Sequence, residues 1–132
     1  MKILITDDEA HNRLLLEKIL SPHGQCDLMN NGLEAVEAFE MSLLDGTPYD
    51  LVCMDIMMPV MDGQEALRKI RELERTHNID ETEESVIIMV TALNTEEHVV
   101  QAFFRGGCTD YLAKPVTRDK VLDKLRHYSL IA

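Results

Sequence analysis

Short hydrophobic runs alternate along the chain with longer segments whose apolar residues have helical spacing. The runs are as long as buried strands and cover residues 3–6, 26–29, 51–54, 86–90 and 111–113. Helical spacing is found in residues 12–20, 32–44, a segment from about 64 to 76, 95–105 and 117–128. The third of these places Leu67, Ile70 and Leu73 on one face. The pattern predicts five strand-helix units, with a surface loop over residues 77–84.

Strict alternation of strands and helices is typical of a parallel sheet, because parallel strands need crossover connections. Helices then cover both faces of the sheet, and the chain reverses direction once. We therefore predict one α/β domain over residues 1–132, with a doubly wound five-stranded parallel sheet. In open sheets of this kind, ligands bind beyond the carboxyl ends of the strands.

Polar residues follow four of the predicted strands. Asp7 and Asp8 come after the first, Asp55 ends the third, Thr91 follows the fourth and Lys114 follows the fifth. Crowded carboxylates repel each other unless a cation joins them, and Mg²⁺ prefers oxygen ligands. A carboxylate nucleophile, a metal ion and an ammonium group together suit phosphoryl transfer.

Composition narrows the classes of function. The net charge of -11 argues against direct binding to nucleic acid, whose phosphates need a basic surface. No apolar run reaches the roughly 20 residues of a membrane span, and the start does not resemble a signal peptide, so we expect a cytoplasmic protein without membrane contact. Cys26, Cys53 and Cys108 are odd in number and widely spaced, which favours reduced thiols.

Several short motifs lie at these strand ends in a fixed order. They are Asp7-Asp8-Glu9, Asp55-Ile56-Met57-Met58-Pro59, Met61-Asp62-Gly63, Thr91-Ala92 and Lys114-Pro115. Together they resemble the response-regulator receiver domain of two-component signalling, in particular the stand-alone chemotaxis type. The resemblance spans nearly the whole chain and implies a flavodoxin-like sheet of strand order 2-1-3-4-5.

The resemblance also implies the roles of the site residues. Asp55 would be the phosphoacceptor, while Thr91 and Lys114 would bind the phosphoryl group. The implied metal site holds Mg²⁺, for which Mn²⁺ can substitute, and consists of Asp7, Asp8, Asp55 and the backbone carbonyl of Met57. Met57 and Leu93, each two residues after a site residue, would tune the lifetime of the phosphoryl group.

Tyr111 is implied to be a switch residue whose rotamer follows Thr91. The output surface would then be the face of the fourth helix, fifth strand and fifth helix, with Val99, Phe103 and Tyr111 on it. The alternative is that Val99 and Phe103 belong to the core. The run Arg105-Gly106-Gly107 departs from the Ala-Gly-Ala often found in this family, which is expected to alter the packing of the fourth helix.

We therefore expect a response regulator that catalyses only its own phosphorylation and dephosphorylation and is not a conventional enzyme. Its partners would be a histidine kinase or a histidine phosphotransfer protein, a downstream protein target, and a second copy in a homodimer. If the chain is complete, no effector domain follows Ala132 and the output must be protein binding. A receiver cut from a longer regulator or hybrid kinase would have the same sequence.

Three alternatives stay open. Asn12-Arg13 at the start of the first helix resembles receivers that pass phosphate along a phosphorelay. A phosphatase of the haloacid dehalogenase type also uses an Asp nucleophile, but its DxDxT motif would require Asp where Met57 stands. A flavodoxin-like nucleotide binder would need a Gly-rich loop after the first strand, and none follows it.

Overall fold

Five parallel strands form a sheet with helices on both faces in the computed structural model. The structure describes residues 1–92 and 95–132, apart from the side chains at positions 98 and 102. The strands are β1 (Lys2–Thr6), β2 (Gln25–Met29), β3 (Leu51–Asp55), β4 (Val86–Thr91) and β5 (Asp110–Ala113). The α-helices are α1 (Ala10–Leu20), α2 (Gly32–Leu44), α3 (Gly63–Thr76), α4 (Glu97–Gly106) and α5 (Arg118–His127).

The strand order is β2-β1-β3-β4-β5, which confirms the predicted doubly wound sheet. Most boundaries lie within two residues of those predicted. The predicted surface loop 77–84 contains a short 3₁₀ helix, Glu81–Glu83. Because all strands are parallel, the carboxyl ends of β1, β3, β4 and β5 meet at one edge of the sheet.

Two hydrophobic clusters fill the space between the sheet and its helices. Alternate residues of β1 point to opposite faces, so Leu4 joins one cluster while Ile3 and Ile5 join the other. The Leu4 side is covered by α2, α3 and α4 through Phe39, Ala66, Leu67, Ile70 and Phe103. The other side is covered by α1 and α5 through Leu16, Ile19, Leu20, Val121, Leu122 and Leu125.

Local capping fixes where several helices begin and end. The side chains of Asn31, Asp62 and Thr117 each accept a hydrogen bond from a backbone N–H in the first turn of α2, α3 and α5. Gly107 ends α4 in the left-handed region at φ +100°, a conformation that glycine adopts without a steric penalty. These caps set the lengths of the loops that carry the polar residues.

A buried polar network joins α3 to β4 and to the loop after α4. The Arg71 guanidinium donates to Glu74 Oε1 at 2.6 Å, to the Ser85 carbonyl at 2.9 Å and to the Gly107 carbonyl at 2.7 Å. Glu74 Oε2 accepts from the Ser85 N–H at 2.8 Å. Arg71 also donates to Thr109 Oγ1 at 3.2 Å. The network therefore fixes the carboxyl end of α4 against α3.

Cys26, Cys53 and Cys108 are free thiols, and Cys53 and Cys108 are buried. Within the part of the chain that the structure describes, no helix has both the length and the hydrophobicity to span a membrane.

Candidate functional site

The three predicted carboxylates lie together beyond the ends of β1 and β3. Asp7 and Asp8 follow β1 directly, and Asp55 is the last residue of β3, next to β1 in the sheet. One oxygen of each carboxylate lies within 4.8 Å of the corresponding oxygens of the other two. The arrangement is a consequence of parallel pairing, since β1 and β3 end at the same edge.

Two of these carboxylates are almost inaccessible to solvent. The exposed fraction is 1% for Asp7 and 6% for Asp55, whereas Asp8 is exposed. Burial raises the pKa of Asp7 to about 6, and the negative charge of Asp55 adds to the rise. Burial also raises the pKa of Asp55, against the opposing effect of Lys114. The cluster is therefore short of positive charge.

Lys114 supplies the nearest ammonium group. Its Nζ lies 3.4 Å from Asp55 Oδ1, and its backbone N–H donates to the Thr91 carbonyl at 2.7 Å. The peptide bond between Lys114 and Pro115 is cis. The ends of β4 and β5 thus place an ammonium group directly against the carboxylate that the resemblance identifies as the phosphoacceptor.

Backbone hydrogen bonds orient the buried carboxylates. Asp55 Oδ1 accepts from the Ile56 N–H and Asp7 Oδ1 accepts from the Glu9 N–H, both at 2.9 Å. Arg13 donates to the Asp7 carbonyl at 2.7 Å. Glu9 and Arg13 are supporting residues that the sequence did not assign to the site.

The loop after β3 is held at both ends by close backbone contacts. The Gly63 N–H donates to the Ile56 carbonyl at 2.8 Å, and the Gly32 N–H donates to the Met61 carbonyl at 3.1 Å. A Cβ at position 63 would lie 2.4 Å from the Asp55 carbonyl oxygen. Only glycine permits this approach, so the backbone beside Asp55 depends on it.

A cleft of about 390 Å³ opens above the carboxylates. Its lining includes Asp8, Asp55, Met57, Val99 and Lys114, and 79% of the Met57 side chain is exposed. The donors that converge here are carboxylate oxygens, which are the ligands that Mg²⁺ prefers. The chemistry of the cluster therefore fits a hard divalent cation, which would compensate the negative charge.

Thr91 and Tyr111 line a second cleft, of about 380 Å³, between β5 and the amino end of α4. Ala92 and Thr95 line both clefts, so the two adjoin each other. Thr91 is buried. Leu93, expected to tune the lifetime of the phosphoryl group, lies outside the described residues.

Tyr111 is on the outer side of the second cleft, with 37% of its surface exposed. Its ring packs edge-on against Phe104, with centroids 6.0 Å apart, and Lys124 Nζ lies 5.9 Å from the ring centroid. Lys124 also donates to Asp110 Oδ2 at 2.9 Å. An exposed aromatic pair with a nearby ammonium group therefore connects α4, β5 and α5.

The prediction that Phe103 lies on an exposed surface beside Tyr111 is wrong for this structure. Phe103 is completely buried in the core between α4 and the sheet. Val99 is half-buried, packs against the same core and lines the acidic cleft. The α4 residues beside Tyr111 are Val100 and Phe104, one position further along the helix.

Comparison with known proteins gives a consistent result. The family described as the response regulator receiver domain matches residues 3–126. The chemotaxis protein CheY of Bacillus subtilis is 34% identical over 126 residues, which cover 94% of this chain and 93% of that protein. The chain spans at most 15% of the length of three curated relatives that are histidine kinases from Arabidopsis thaliana and Dictyostelium discoideum.

Solved structures show the same fold. A chain in the CheX–CheY–BeF₃–Mg²⁺ complex of Borrelia burgdorferi has a TM-score of 0.82 at 28% identity, and the match covers 98% of this chain and 89% of that one. A chain in the complex of the Saccharomyces cerevisiae phosphotransfer protein Ypd1 with the Ssk1 receiver domain also has a TM-score of 0.82 at 28% identity. That match covers 97% of this chain and 88% of the other.

Proposed function

Since this chain belongs to the response regulator receiver domain family of two-component signalling, we propose that it is a switch phosphorylated on Asp55 in a Mg²⁺-dependent reaction. The observation that carries the proposal is the position of Asp55. It ends β3 beside Asp7 and Asp8, and one of its oxygens lies 3.4 Å from Lys114 Nζ.

In the proposed reaction, an Asp55 carboxylate oxygen attacks the phosphorus of a phosphohistidine on a histidine kinase or phosphotransfer protein. The new O–P bond forms as the N–P bond breaks, and the electron pair stays on the histidine nitrogen. In the later hydrolysis, water attacks phosphorus, the bond between phosphorus and the Asp55 oxygen breaks, and its electron pair stays on that oxygen. The Asp55 carboxylate is regenerated, the protons of the water leave with inorganic phosphate or pass to solvent, and neither step needs an oxidant or a reductant.

The site residues assist by neutralising and positioning charge. Asp7, Asp8, Asp55 and the Met57 carbonyl would hold Mg²⁺, or Mn²⁺ in its place, and this ion would supply charge neutralisation to the phosphoryl oxygens. Lys114 would pair with a second phosphoryl oxygen, and the Thr91 hydroxyl would donate to a third. Lys114 is already in contact with Asp55.

Labelling by acetyl phosphate tests the assignment. With Mg²⁺ present, intact-mass measurement should show one added phosphoryl group in the wild type and none in Asp55→Ala. Asp45→Ala, which removes an exposed carboxylate at the end of α2, is the matched control and should label normally. Undiminished labelling of Asp55→Ala, or loss of labelling in both variants, would contradict the proposal.

The proposed output is a change at the face formed by α4, β5 and α5. When Thr91 moves toward the phosphoryl group, the second cleft gives the Tyr111 ring room to turn inward and leave Phe104. A downstream protein, or a second copy of this chain in a homodimer, would then bind the changed face. The Phe104–Tyr111 contact supports this location because it joins α4 to β5.

A second role, passing phosphate on to a histidine phosphotransfer protein, is favoured by one observation. Arg13, at the start of α1, contacts the backbone of Asp7 and so couples the surface of α1 to the acidic cluster. Rapid transfer of phosphate from phospho-Asp55 to a purified phosphotransfer domain would indicate a relay. Slow transfer with phosphorylation-dependent binding of another protein would indicate a terminal switch.

The cytoplasmic location expected from the sequence stays a prediction, which cell fractionation of the natural protein tests. The family match leaves no support for a phosphatase of the haloacid dehalogenase type.

A further inference from the structure

A second polar feature lies between α3 and α4, away from the acidic cleft. It is a groove of about 320 Å³ lined by Gln64, Leu67, Arg68, Arg105 and Gly106. None of these residues lines the acidic cleft or the cleft of Thr91 and Tyr111. The proposed phosphorylation chemistry therefore does not use it.

The run Arg105-Gly106-Gly107 explains why the groove has this shape. A Cβ at Gly106 would lie only 3.2 Å from Leu67 Cδ2, so glycine lets the end of α4 approach α3 closely. Gly107 then ends the helix, and its carbonyl accepts a hydrogen bond from Arg71. With the helix end fixed, Arg105 on α4 and Arg68 on α3 border the same groove.

The charges of the groove are unusual for this protein. The chain carries 24 acidic and 13 basic residues, yet Arg68 and Arg105 are both exposed and form no ion pair with any described residue. Glu65 and Glu72 lie one turn away from Arg68 on α3, and neither pairs with it. Two guanidinium groups are thus available to an anionic ligand.

From these observations we infer that the groove is a docking site for an acidic segment of a partner protein. The carboxylates of the segment would pair with Arg68 and Arg105, because the planar guanidinium group matches a carboxylate in two parallel hydrogen bonds. A small apolar side chain of the segment would lie over the floor formed by Leu67 and Gly106.

The net charge of the molecule favours an acidic protein segment over a nucleic acid as the ligand of the groove. A nucleic acid would present many phosphates to a molecule of net charge -11, and repulsion outside the groove would oppose binding. A short acidic segment presents one or two carboxylates to the local positive charge only. The inference concerns binding at α3 and α4 and does not require phosphorylation of Asp55.

The test uses the ¹⁵N-labelled 132-residue chain and a synthetic peptide in which a Glu-Leu-Glu core is flanked by glycines. Amide chemical shifts should change at Gln64, Arg68, Arg105 and Gly106 on titration. Affinity should fall about tenfold in Arg68→Gln and in Arg105→Gln, the effect of losing one charge-assisted hydrogen bond. A peptide with a Lys-Leu-Lys core should cause no shifts there.

Arg75→Gln is the matched control, since Arg75 is exposed on the same helix and does not line the groove. It should bind the acidic peptide as the wild type does, and Gln64→Glu should weaken binding by adding a negative charge. Equal losses in Arg75→Gln and Arg68→Gln would overturn the inference, as would shifts confined to other surfaces. Inorganic phosphate producing the same shifts at equal concentration would indicate a small-anion site and overturn the peptide assignment.

Discussion

At the scale of single residues, Asp7 is where burial and charge conflict. Its carboxylate is almost fully buried beside Asp55, and burial raises its pKa to about 6. The Glu9 N–H is its one hydrogen-bond donor among the described residues. The ionised form therefore costs free energy in the metal-free fold, and a cation in the cleft would recover that cost.

We predict that Asp7→Asn stabilises the metal-free protein at pH 7 by roughly 1–3 kcal/mol, since one pKa unit corresponds to about 1.4 kcal/mol. The asparagine Oδ1 can still accept from the Glu9 N–H. Asp8→Asn, at an exposed position, is the control and should gain less. Urea denaturation in chelator measures both, and a destabilised Asp7→Asn protein would contradict the prediction.

The same shift predicts a pH dependence. With a native pKa of about 6 and an ordinary value of 3.8, native Asp7 keeps a proton that the unfolded chain has released. The contribution of Asp7 to the free energy of unfolding should therefore fall as pH rises from about 4 to about 6. The difference in stability between Asp7→Asn and wild type, followed across this range, isolates it. A difference that stays constant with pH would rule out the shift.

Met57 is the residue expected to control how fast phospho-Asp55 is hydrolysed. Its exposed side chain borders the cleft above Asp55 and cannot orient a water molecule. We predict that Met57→Asn shortens the lifetime of phospho-Asp55 several-fold, because an amide can hydrogen-bond to the attacking water. Val60→Asn, in the same loop but outside the cleft, should leave the rate of phosphate release unchanged.

At the scale of secondary-structure elements, the rotation of α4 decides which aromatic is core and which is surface. Phe103 is completely buried, whereas 45% of Phe104 is exposed. The two positions are adjacent and differ by about 100° around the helix axis. A shift of one residue in the predicted rotation of α4 therefore decides whether Phe103 or Phe104 is assigned to the output face.

We predict that Phe103→Ala destabilises the fold by about 3–5 kcal/mol, the usual cost of truncating a buried aromatic. Phe104→Ala should cost less than about 1 kcal/mol and should reduce phosphorylation-dependent association with a partner or a second copy. Chemical denaturation and sedimentation of the phosphorylated protein measure the two effects separately. If both variants still associate when phosphorylated, the output surface lies on another face of the molecule.

The hydrogen bonds of Arg71 also act between secondary-structure elements, because they link α3, β4 and the end of α4. We predict that Arg71→Met costs about 3–5 kcal/mol, since it leaves Glu74 buried without its cation. Adding Glu74→Gln should recover part of the loss, and exposed Arg75→Met should be nearly neutral. If the double variant is no more stable than Arg71→Met, the buried charge is not the cause.

At the scale of the whole molecule, negative charge and metal binding act together. We predict that Mg²⁺ raises the free energy of unfolding by about 2.7 kcal/mol at a hundredfold excess over its dissociation constant. The gain should shrink between pH 7 and 5, because protons compete for Asp7. Sodium chloride at matched ionic strength controls for general screening of the net charge of -11. An equal gain from sodium chloride would contradict specific binding.

Sequence reasoning succeeded for the features that topology determines. Alternating strands and helices imply a parallel sheet, and a parallel sheet brings Asp7, Asp55 and Lys114 to one edge. It failed where several side chains satisfy the same pattern. Val99, Val100, Phe103 and Phe104 are adjacent apolar pairs in α4, so periodicity alone does not determine its rotation.

Buried charge was the other feature that hydrophobic patterning did not detect. Arg71 and Glu74 share a helical face with Leu67 and Ile70, and a charged pair three apart on an apolar face was the available signal. From sequence alone, charged residues are usually assigned to the solvent-exposed face of a helix. The hydrogen bonds that reverse this assignment come from segments distant in sequence, Ser85 and Gly107.

The three free cysteines have a practical consequence for following the switch in solution. Burial raises the pKa of Cys53 to about 12 and that of Cys108 to about 11, and burial with the charge of Glu17 also raises the pKa of Cys26. Maleimide reagents react with thiolates, so native thiols should label slowly at neutral pH. A cysteine introduced at exposed Val60, in the loop after Asp55, can therefore carry a fluorophore without removal of the native ones.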